Sequence, residues 1–427
     1  MKVLVVGNGG REHAIAWKLV QSPQVSHCYC VPGNGGTAGL AKTVNLALSP
    51  DDFAGISQFC QENQVDLVVV GPELPLSLGL TDYLQARHMT VFGPTQAGAM
   101  IESSKSWAKA IMEKAGVPTA QGATFTDRQA ALDYLSQQAA PIVVKADGLA
   151  AGKGVIIAES LEDAKQAIAE LFDQGFTKVV IEEFLLGEEV SVLALCDGLT
   201  VRPLLPAQDH KRIGEGDTGN NTGGMGVYAP APIAPPSVIE AVTQQVLQPT
   251  LDQLRQEGID YRGVLYAGLM ISPQGEIKVL EFNCRFGDPE TQAILPLLET
   301  PLADLLLACA EQRLSDFPPL QWRSGSAVCV VLASQGYPGA YEKGKVITGI
   351  DQAEQQQAVV FHAGTRLVGD ELLTDGGRVL GVTATGEDLP QAITQVYQAV
   401  AKVQFEGCYY RRDIAHRALK SVLNSKN

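Results

Sequence analysis

Lys278-Val279-Leu280-Glu281-Phe282-Asn283-Cys284-Arg285-Phe286-Gly287-Asp288-Pro289-Glu290-Thr291-Gln292 is the stretch on which the reading of the chain turns. It opens as a strand, with Val279 and Leu280 apolar. Side chains alternate faces along a strand, so Glu281 and Asn283 point the same way. A carboxylate beside an amide oxygen suits Mg²⁺ or Mn²⁺, which in phosphate chemistry take one or two protein oxygens and the rest from substrate. Arg285 shares that face if the strand continues, and offers a rigid fork for a carboxylate or phosphate. Gly287, Asp288 and Pro289 then turn the chain. The competing reading is a polar edge strand closing a hairpin that opens at Pro273-Gln274-Gly275.

At 427 residues the chain exceeds one ordinary core, and about three units are expected. It is 45% hydrophobic and 19% charged, the balance of a packed globular protein. Its formal charge of −15, from 47 acidic and 32 basic residues, argues against non-specific binding to nucleic acid or an anionic membrane. Cys28 and Cys30 form the one close pair among eight scattered cysteines, so neither a disulfide framework nor a thiolate zinc site is expected. The apolar run after Met1 is too short for a signal peptide, and no run reaches membrane-spanning length. A cytoplasmic location is expected.

Residues 1–94 alternate strands (Val3–Val6, Ser26–Val31, Val65–Val70, Thr90–Phe92) with helices (from Arg11, Asp51–Asn63, Leu76–Arg87). That pattern predicts a parallel sheet with ligands at the carboxyl ends of its strands. The turn Gly7-Asn8-Gly9-Gly10 before Arg11 could hold phosphate through free N–H groups. It lacks the third glycine of a dinucleotide fingerprint, and the second strand ends in P-G-N-G-G around Asn34 without an acidic residue. A phosphate on a smaller ligand near Arg11, or glycines that only tighten turns, are the readings left open.

A helix over Ser103–Ala115 carries Lys105 in its first turn, where a cation opposes the helix dipole. An anion-facing lysine and a solvated one both fit. Residues 120–190 read as a small α+β unit: a strand Pro141–Lys145, a glycine-rich hairpin loop through Gly148, Gly152 and Gly154, a returning strand Val155–Ala158, a helix Asp163–Phe172 and a strand Lys178–Ile181. The loop is not of the Walker type, since a strand follows it. A strand lysine under a mobile flap meets a triphosphate's charge in another way. Glu182, Glu183, Phe184, Leu185, Glu188 and Glu189 follow, either as a solvated rim or as a segment holding adenine and ribose. A hairpin turns at Asp197-Gly198. The polar segment Gln208–Gly226, with Asp209, His210, Lys211, Arg212, Asp217, Gly223, Gly224, Met225 and Gly226, is expected to be a long substrate loop. A helix Ile239–Glu257, a strand Val264–Ile271 and a helix Pro301–Gln312 flank the opening stretch. After Phe317-Pro318-Pro319 come strands at Ser326–Ala333, Lys345–Thr348, Ala358–His362 and Arg378–Ala384, and a helix Leu389–Val403.

Taken in order, these features resemble the ATP-grasp superfamily, and within it the glycinamide ribonucleotide synthetase family. R-F-G-D-P-E-T-Q at 285–292 is similar to that family's signature. So are V-G-N-G-G-R-E-H at 6–13, K-A-D-G-L-A-A-G-K-G-V at 145–155, E-E-F-L-L-G-E-E at 182–189, N-T-G-G-M-G at 221–226 and Y-R-R-D-I at 410–414. Two positions depart from it: Asn220 where the family usually has proline, and Ala415 where it usually has glycine. The strand Val264–Ile271 also lacks the acidic metal ligand of many ATP-grasp relatives.

The resemblance implies a Rossmann-like N-terminal parallel sheet over 1–102. It implies ATP-grasp domains of mixed α/β and α+β architecture over 103–322, with 120–190 as the subdomain covering ATP under a mobile glycine flap. A small mixed α/β domain over 323–427 completes the chain. It implies ATP, glycine and 5-phosphoribosylamine as substrates of a monomer, joined through an acyl phosphate in purine synthesis. Lys105, Lys145 and Gly152 would contact the ATP phosphates. Glu182, Glu183, Phe184 and Leu185 would hold adenine, and Glu189 ribose. Glu281 and Asn283 would hold Mg²⁺ or Mn²⁺. Arg285 and Lys145 would be catalytic, Arg285 steadying the glycine carboxylate and the transferring phosphoryl group. Gly9, Gly10, Arg11, Asn34, Asp209, Gly223, Gly224, Met225 and Gly226 would bind substrate, the glycines and Asn34 taking the phosphoribosyl group.

Overall fold

Val3–Val6 and Leu67–Val70 are apolar throughout and almost wholly buried, as befits strands covered on both faces. In the computed structural model, which describes residues 1–149 and 154–419, they are the centre of a parallel sheet. Its strands are β1 (Lys2–Gly7), β2 (His27–Pro32), β3 (Thr43–Asn45), β4 (Leu67–Val70) and β5 (Val91–Phe92), ordered β3-β2-β1-β4-β5. Helices α1 (Gly10–Leu19) and α2 (Phe53–Asn63) connect them. The helix expected over Leu76–Arg87 is two short ones, α3 (Glu73–Ser77) and α4 (Leu80–Gln85). Gly79, at φ +88°, breaks the helical path between them.

Helix α5 (Gln96–Ser103), which sequence periodicity did not reveal, leads into α6 (Lys105–Ala115). Ser104 caps α6 by accepting from the Trp107 N–H at 3.2 Å, and Gly116 ends it at φ +66°. The next unit is an antiparallel sheet of β6 (Gly122–Phe125), β7 (Ile142–Ala146), β8 (Val155–Ala158) and β9 (Val179–Glu183), ordered β6-β9-β7-β8. Helices α7 (Arg128–Leu135) and α8 (Leu161–Asp173) pack on it around a core of its own, with Ala131, Leu135, Ala167, Ile168 and Leu171. Gly152 and most of the expected flap lie outside the described residues.

Strand β10 (Glu188–Asp197) pairs with β11 (Val201–Pro203). The segment expected as a long loop instead carries β12 (Gln208–Asp209), β13 (Arg212–Gly214), β14 (Thr218–Asn221) and β15 (Gly226–Ala229). Strands this short, rich in glycine and asparagine, have no hydrophobic alternation to betray them. The helix expected over Ile239–Glu257 runs as α9 (Pro236–Val242), a π turn at Thr243–Leu247, and α10 (Gln248–Gln256). Pro249 explains the irregularity, because its ring cannot donate to, or fit against, the carbonyl four residues back.

Strands β16 (Arg262–Ile271) and β17 (Ile277–Asn283) complete the central sheet, ordered β11-β10-β16-β17. Val192, Ala194 and Cys196 of β10 share a core with Leu251 and Leu254. The intervening Leu193 and Leu195 share another with Leu302, Leu305 and Leu306, so the sheet is buried on both faces. Helices α11 (Glu290–Ile294) and α12 (Leu302–Ala310) follow. The last sheet joins β12 and β15 to β18 (Ser326–Ser334), β19 (Ala358–His362), β22 (Arg378–Gly386) and β23 (Cys408–Tyr409). Helix α13 (Ile350–Glu354) precedes β19, a hairpin of β20 (Thr365–Val368) and β21 (Glu371–Thr374) follows it, and α14 (Leu389–Val400) packs on β18 and β22. Lys345–Thr348, expected as a strand, makes only isolated bridges from Val346 to Leu373 and from Thr348 to Gln404. No described helix is long and apolar enough to cross a membrane.

Candidate active site

Strand β17 is an edge strand, as the competing reading of the opening stretch had it, but its edge is covered. The Val279 N–H donates to Pro118 O at 2.8 Å and the Thr119 hydroxyl donates to Val279 O at 2.8 Å. Pairing with β16 slips at Leu280: Leu269 opposes Val279 and Gly268 opposes Glu281. The bulged Leu280 leaves its carbonyl outside the ladder, where Lys145 Nζ donates to it at 2.9 Å. Glu281 and Asn283, opposite Gly268 and Tyr266, thereby share a face above Lys145.

Around that face the structure gathers cations from four segments. Lys145 ends β7 with Nζ 2.6 Å from Glu182 Oε2, and Glu182 Oε1 lies 2.8 Å from Lys109 Nζ. The pair is buried, with 8% of the Lys145 and 5% of the Glu182 side chain exposed. Lys105, at the start of α6, donates to Gly148 O at 3.0 Å, just past the end of β7. Burial holds the Lys105 amine below its ordinary pKa, against the pull of Glu281. Lys211 pairs closely with Glu189 and lies 3.8 Å from Glu281. Glu189 and Glu281 raise the Lys211 amine despite burial. Burial works to raise Glu281, yet Lys211, Lys145, Lys105 and Arg285 together keep its carboxyl below the usual range. So many cations around one carboxylate suit a polyphosphate.

The segment after β9 lines a cleft of about 220 Å³ with Glu183, Phe184, Leu185 and Leu186, faced by Met270 and Lys278. Glu183 closes one side by accepting from the Gln121 N–H at 2.9 Å and from Lys278 at 2.8 Å. The lining of the cleft is half apolar (Phe184, Leu185, Leu186, Met270) and half polar (Glu183, Ser272, Glu276, Lys278), a mixture that suits a flat ring with polar edges. The donor set at Glu281 and Asn283 fits a hard divalent cation in part. Among the described residues, no group of three or more His, Cys, Asp or Glu side chains is placed to hold a metal by itself.

Arg285 lies past the end of β17 but stays with it, donating to Asn283 Oδ1 at 3.1 Å. Its guanidinium also meets Glu102 at 2.9 Å and Glu73 at 3.4 Å, while Nε has no hydrogen-bond partner. Burial opposes its charge, and Glu102 and Glu73 more than restore it. Glu102 also accepts from the Cys284 N–H at 2.8 Å, which pins the turn.

The glycine groups converge on the segment from Asp288 to Gln292. A Cβ on Gly9 would lie 3.4 Å from Asp288 Oδ2, and one on Gly10 2.6 Å from Gln292 Nε2. From the other side, a Cβ on Gly224 would lie 2.4 Å from Pro289 Cδ and 2.8 Å from Asp209 Oδ1. Arg378 joins the two sides, donating to Gly223 O and, at 2.9 Å, to Asp288 O. Arg11 donates to Phe286 O at 3.0 Å and lies 2.5 Å from Glu12 Oε1, while Glu12 Oε2 accepts from the Gly9 N–H at 2.7 Å.

Several of the expected residues are already engaged. Asn34 donates to His362 O at 2.7 Å and to Asn8 O at 3.0 Å, and its Oδ1 accepts from the Gly36 and Thr37 N–H groups. It organises the glycine loops with its side chain. Met225 is wholly buried, its N–H bound to His210 O and its carbonyl to Val331 N–H, and Gly226 starts β15.

Family models described as Phosphoribosylglycinamide synthetase N domain, ATP-grasp (A) domain and C domain match residues 1–102, 103–291 and 327–417. The chain belongs to the phosphoribosylglycinamide synthetase family. It is 66% identical over 419 residues to the phosphoribosylamine–glycine ligase of Synechocystis sp., covering 98% of this chain and 100% of that one. The corresponding ligase of Nostoc sp. is 63% identical, over 98% and 99% of the two chains. The crystal structure of phosphoribosylamine–glycine ligase from Thermotoga maritima superposes with a TM-score of 0.84 at 36% identity, covering 97% and 100%. The biotin carboxylase domain of Hydrogenobacter thermophilus 2-oxoglutarate carboxylase has the same fold, with a TM-score of 0.72 at 14% identity over 96% and 91%.

Within this phosphoribosylglycinamide synthetase fold, sequence reasoning missed Lys109, Glu73, Glu102, Glu290 and Arg378 as parts of the site. Glu290 Oε1 accepts from the Ser191 hydroxyl at 3.1 Å and the Tyr266 hydroxyl at 2.7 Å. Glu290, inside the G-D-P-E-T-Q turn, and Glu73, just past the carboxyl end of β4, had a local signal. The sequence marks Lys211 merely as one of a basic pair, because its partners Glu189 and Glu281 lie on strands distant in sequence.

Proposed function

We propose that the chain joins glycine to 5-phosphoribosylamine at the expense of ATP, giving glycinamide ribonucleotide, ADP and phosphate. It is an ATP-dependent carboxylate–amine ligase of purine biosynthesis. The observation that carries the detailed reading is the ring of Lys105, Lys145, Lys211 and Arg285 around Glu281, next to the Phe184–Leu185 cleft.

A carboxylate is a poor electrophile. ATP therefore phosphorylates glycine to glycyl phosphate, and the ribosylamine nitrogen displaces phosphate from it. The protein's share is positioning and charge neutralisation. Glu182 and the chain from Glu183 to Leu185 hold adenine, and Glu189 holds ribose. Lys105 and Lys145 meet the phosphates, and excluding water protects the acyl phosphate. Arg285 orients the glycine carboxylate and steadies the transferring phosphoryl group. Gly9, Gly10, Arg11, Asp209 and Gly223–Gly226 form the phosphoribosyl side, with Asn34 shaping the glycine turn. Glu281 and Asn283 would hold Mg²⁺ or Mn²⁺, which when bound neutralises phosphate charge. The units 1–102, 103–322 and 323–427 act together in a monomer.

ADP release is the test, measured with glycine in the presence and absence of freshly made phosphoribosylamine. Release that needs both supports the assignment. Turnover with a different acid or amine but not with this pair overturns the substrate assignment, and no release under any condition points to a nucleotide-binding protein without turnover.

A further inference from the structure

We propose that Asp209 is the general base that takes the proton from the attacking amine, an inference that rests on the ligase reading above. The ligase chemistry requires such a group. When the amine nitrogen forms its bond to the glycyl carbonyl carbon, the bond from that carbon to the phosphate oxygen breaks, and phosphate leaves with the electron pair. The new amide must also shed one N–H proton. Asp209 Oδ1 takes it, and the electron pair of that N–H bond stays on the amide nitrogen.

The geometry singles out this carboxylate. Its backbone is fixed: β12 pairs Asp209 with Val227, and Arg417 Nη1 donates to Asp209 O at 3.2 Å. Its side chain is not committed, because Oδ1 is buried and has no hydrogen-bond partner. Leaving a buried carboxylate oxygen unpaired is costly unless a ligand completes it. Gly224, at φ +113°, presents bare backbone to that oxygen, and a side chain there would fill the space beside it. Asp209 also sits at the joint between the two halves of the site. Two residues on, Lys211 reaches Glu189 and Glu281 on the nucleotide side. On the other side Gly224 meets Pro289, next to the Asp288 that Arg378 holds. The other acidic groups are occupied. Glu290 accepts from Ser191 and Tyr266, Asp288 is bound by Arg378 and Gln292, and Glu189 and Glu281 face Lys211.

The charges facing Asp209 are Glu290 and Glu189, which repel a second negative charge, and Lys211 and Arg378, which favour it. Burial and the two glutamates prevail and raise its carboxyl well above the ordinary value, toward the range in which a carboxylate accepts a proton from an amine.

The test compares two nucleophiles. Hydroxylamine, a weakly basic amine, intercepts an acyl phosphate without help from a base. In Asp209→Asn, kcat with glycine and phosphoribosylamine should fall about 10²- to 10⁴-fold, the usual contribution of general-base catalysis. ADP release with glycine and hydroxylamine should stay close to that of the unaltered protein, and the KM for glycine should not move. Equal losses with both nucleophiles, or unchanged kcat with phosphoribosylamine, would overturn the assignment. Should Asp209→Asn fail to fold, Asp209→Glu carries the comparison: its phosphoribosylamine-to-hydroxylamine turnover ratio should fall, and an unchanged ratio overturns the assignment. Lack of turnover by the unaltered protein with either amine overturns the ligase reading itself, so the two failures are told apart.

Discussion

The proposed nucleotide side of the site and the proposed amine side solve opposite problems. On the nucleotide side nearly every charge already has a partner: Lys145 and Lys109 share Glu182, Lys211 holds Glu189, and Lys278 holds Glu183. On the amine side buried polar atoms are left over, among them Asp209 Oδ1 and Gln292 Oε1. A polyphosphate arriving at the first side would exchange partners with carboxylates that act as placeholders. A ligand arriving at the second would complete groups that nothing else satisfies. Substitutions should therefore differ in kind on the two sides, with losses of charge balance on one and losses of a specific proton or hydrogen bond on the other.

Removing the carboxylate at the centre of the lysine ring should break the nucleotide side most severely. Glu281→Ala is expected to lower metal-dependent turnover by about 10³-fold or more while the circular dichroism spectrum stays that of the folded protein. Retained turnover would reject Glu281 as an essential group. Lys145→Met should act on stability as well, because it strips a buried carboxylate of one of its two cations. A cost of about 3 kcal/mol, at the low end for a broken buried pair since Lys109 remains, should appear in urea unfolding together with a raised KM for ATP.

A third expectation concerns pH, and it belongs to neither half alone. His13, His210 and His362 are buried, and burial lowers all three, His210 to about 3 and His362 to about 4. A base whose folded pKa is depressed contributes stability above its unfolded pKa, near 6.5, and loses it as pH falls toward the folded value. The unfolding free energy from urea titration should decline from about pH 6.5 down to about pH 4, by up to roughly 1.4 kcal/mol per pH unit for each histidine. His362→Gln should flatten that slope, and an unchanged slope would contradict the assignment.

The smallest effect is expected at Ala415, which sits at φ +71° with its N–H donating to His210 Nε2 at 3.2 Å. Glycine adopts that conformation without the steric cost of a Cβ, so Ala415→Gly should stabilise the chain by about 1 kcal/mol with activity unchanged. The departure from the family's usual glycine is thus a matter of stability.

What could be read from the sequence divides along the same line. The strand positions of the residues proposed for the nucleotide side were legible because strong apolar runs precede them: Val143 and Val144 before Lys145, Val179–Ile181 before Glu182, and Val279 before Glu281. The parallel N-terminal sheet was legible for the same reason. On the proposed amine side the glycine motifs could be read but the strands could not, since β13 and β14 carry no hydrophobic pattern. They are held instead by the wholly buried Arg411, which donates to Arg212 O at 3.0 Å and pairs with Asp217 at 3.0 Å from almost two hundred residues away. Nothing local to Arg378, on a strand of the last sheet, foretells its bond to Gly223. Contacts that exist only after the chain has closed on itself leave no periodic trace in sequence.

At the centre of this account is the statement that Glu281 and Asn283 are half of a metal site and that ATP supplies the other half. Mn²⁺ binding followed by electron paramagnetic resonance, with and without a non-hydrolysable ATP analogue, tests it most directly. The account predicts stoichiometric Mn²⁺ binding only when the nucleotide is present, and its loss in Glu281→Ala. Tight, stoichiometric Mn²⁺ binding by the nucleotide-free protein, abolished by the same substitution, would contradict it.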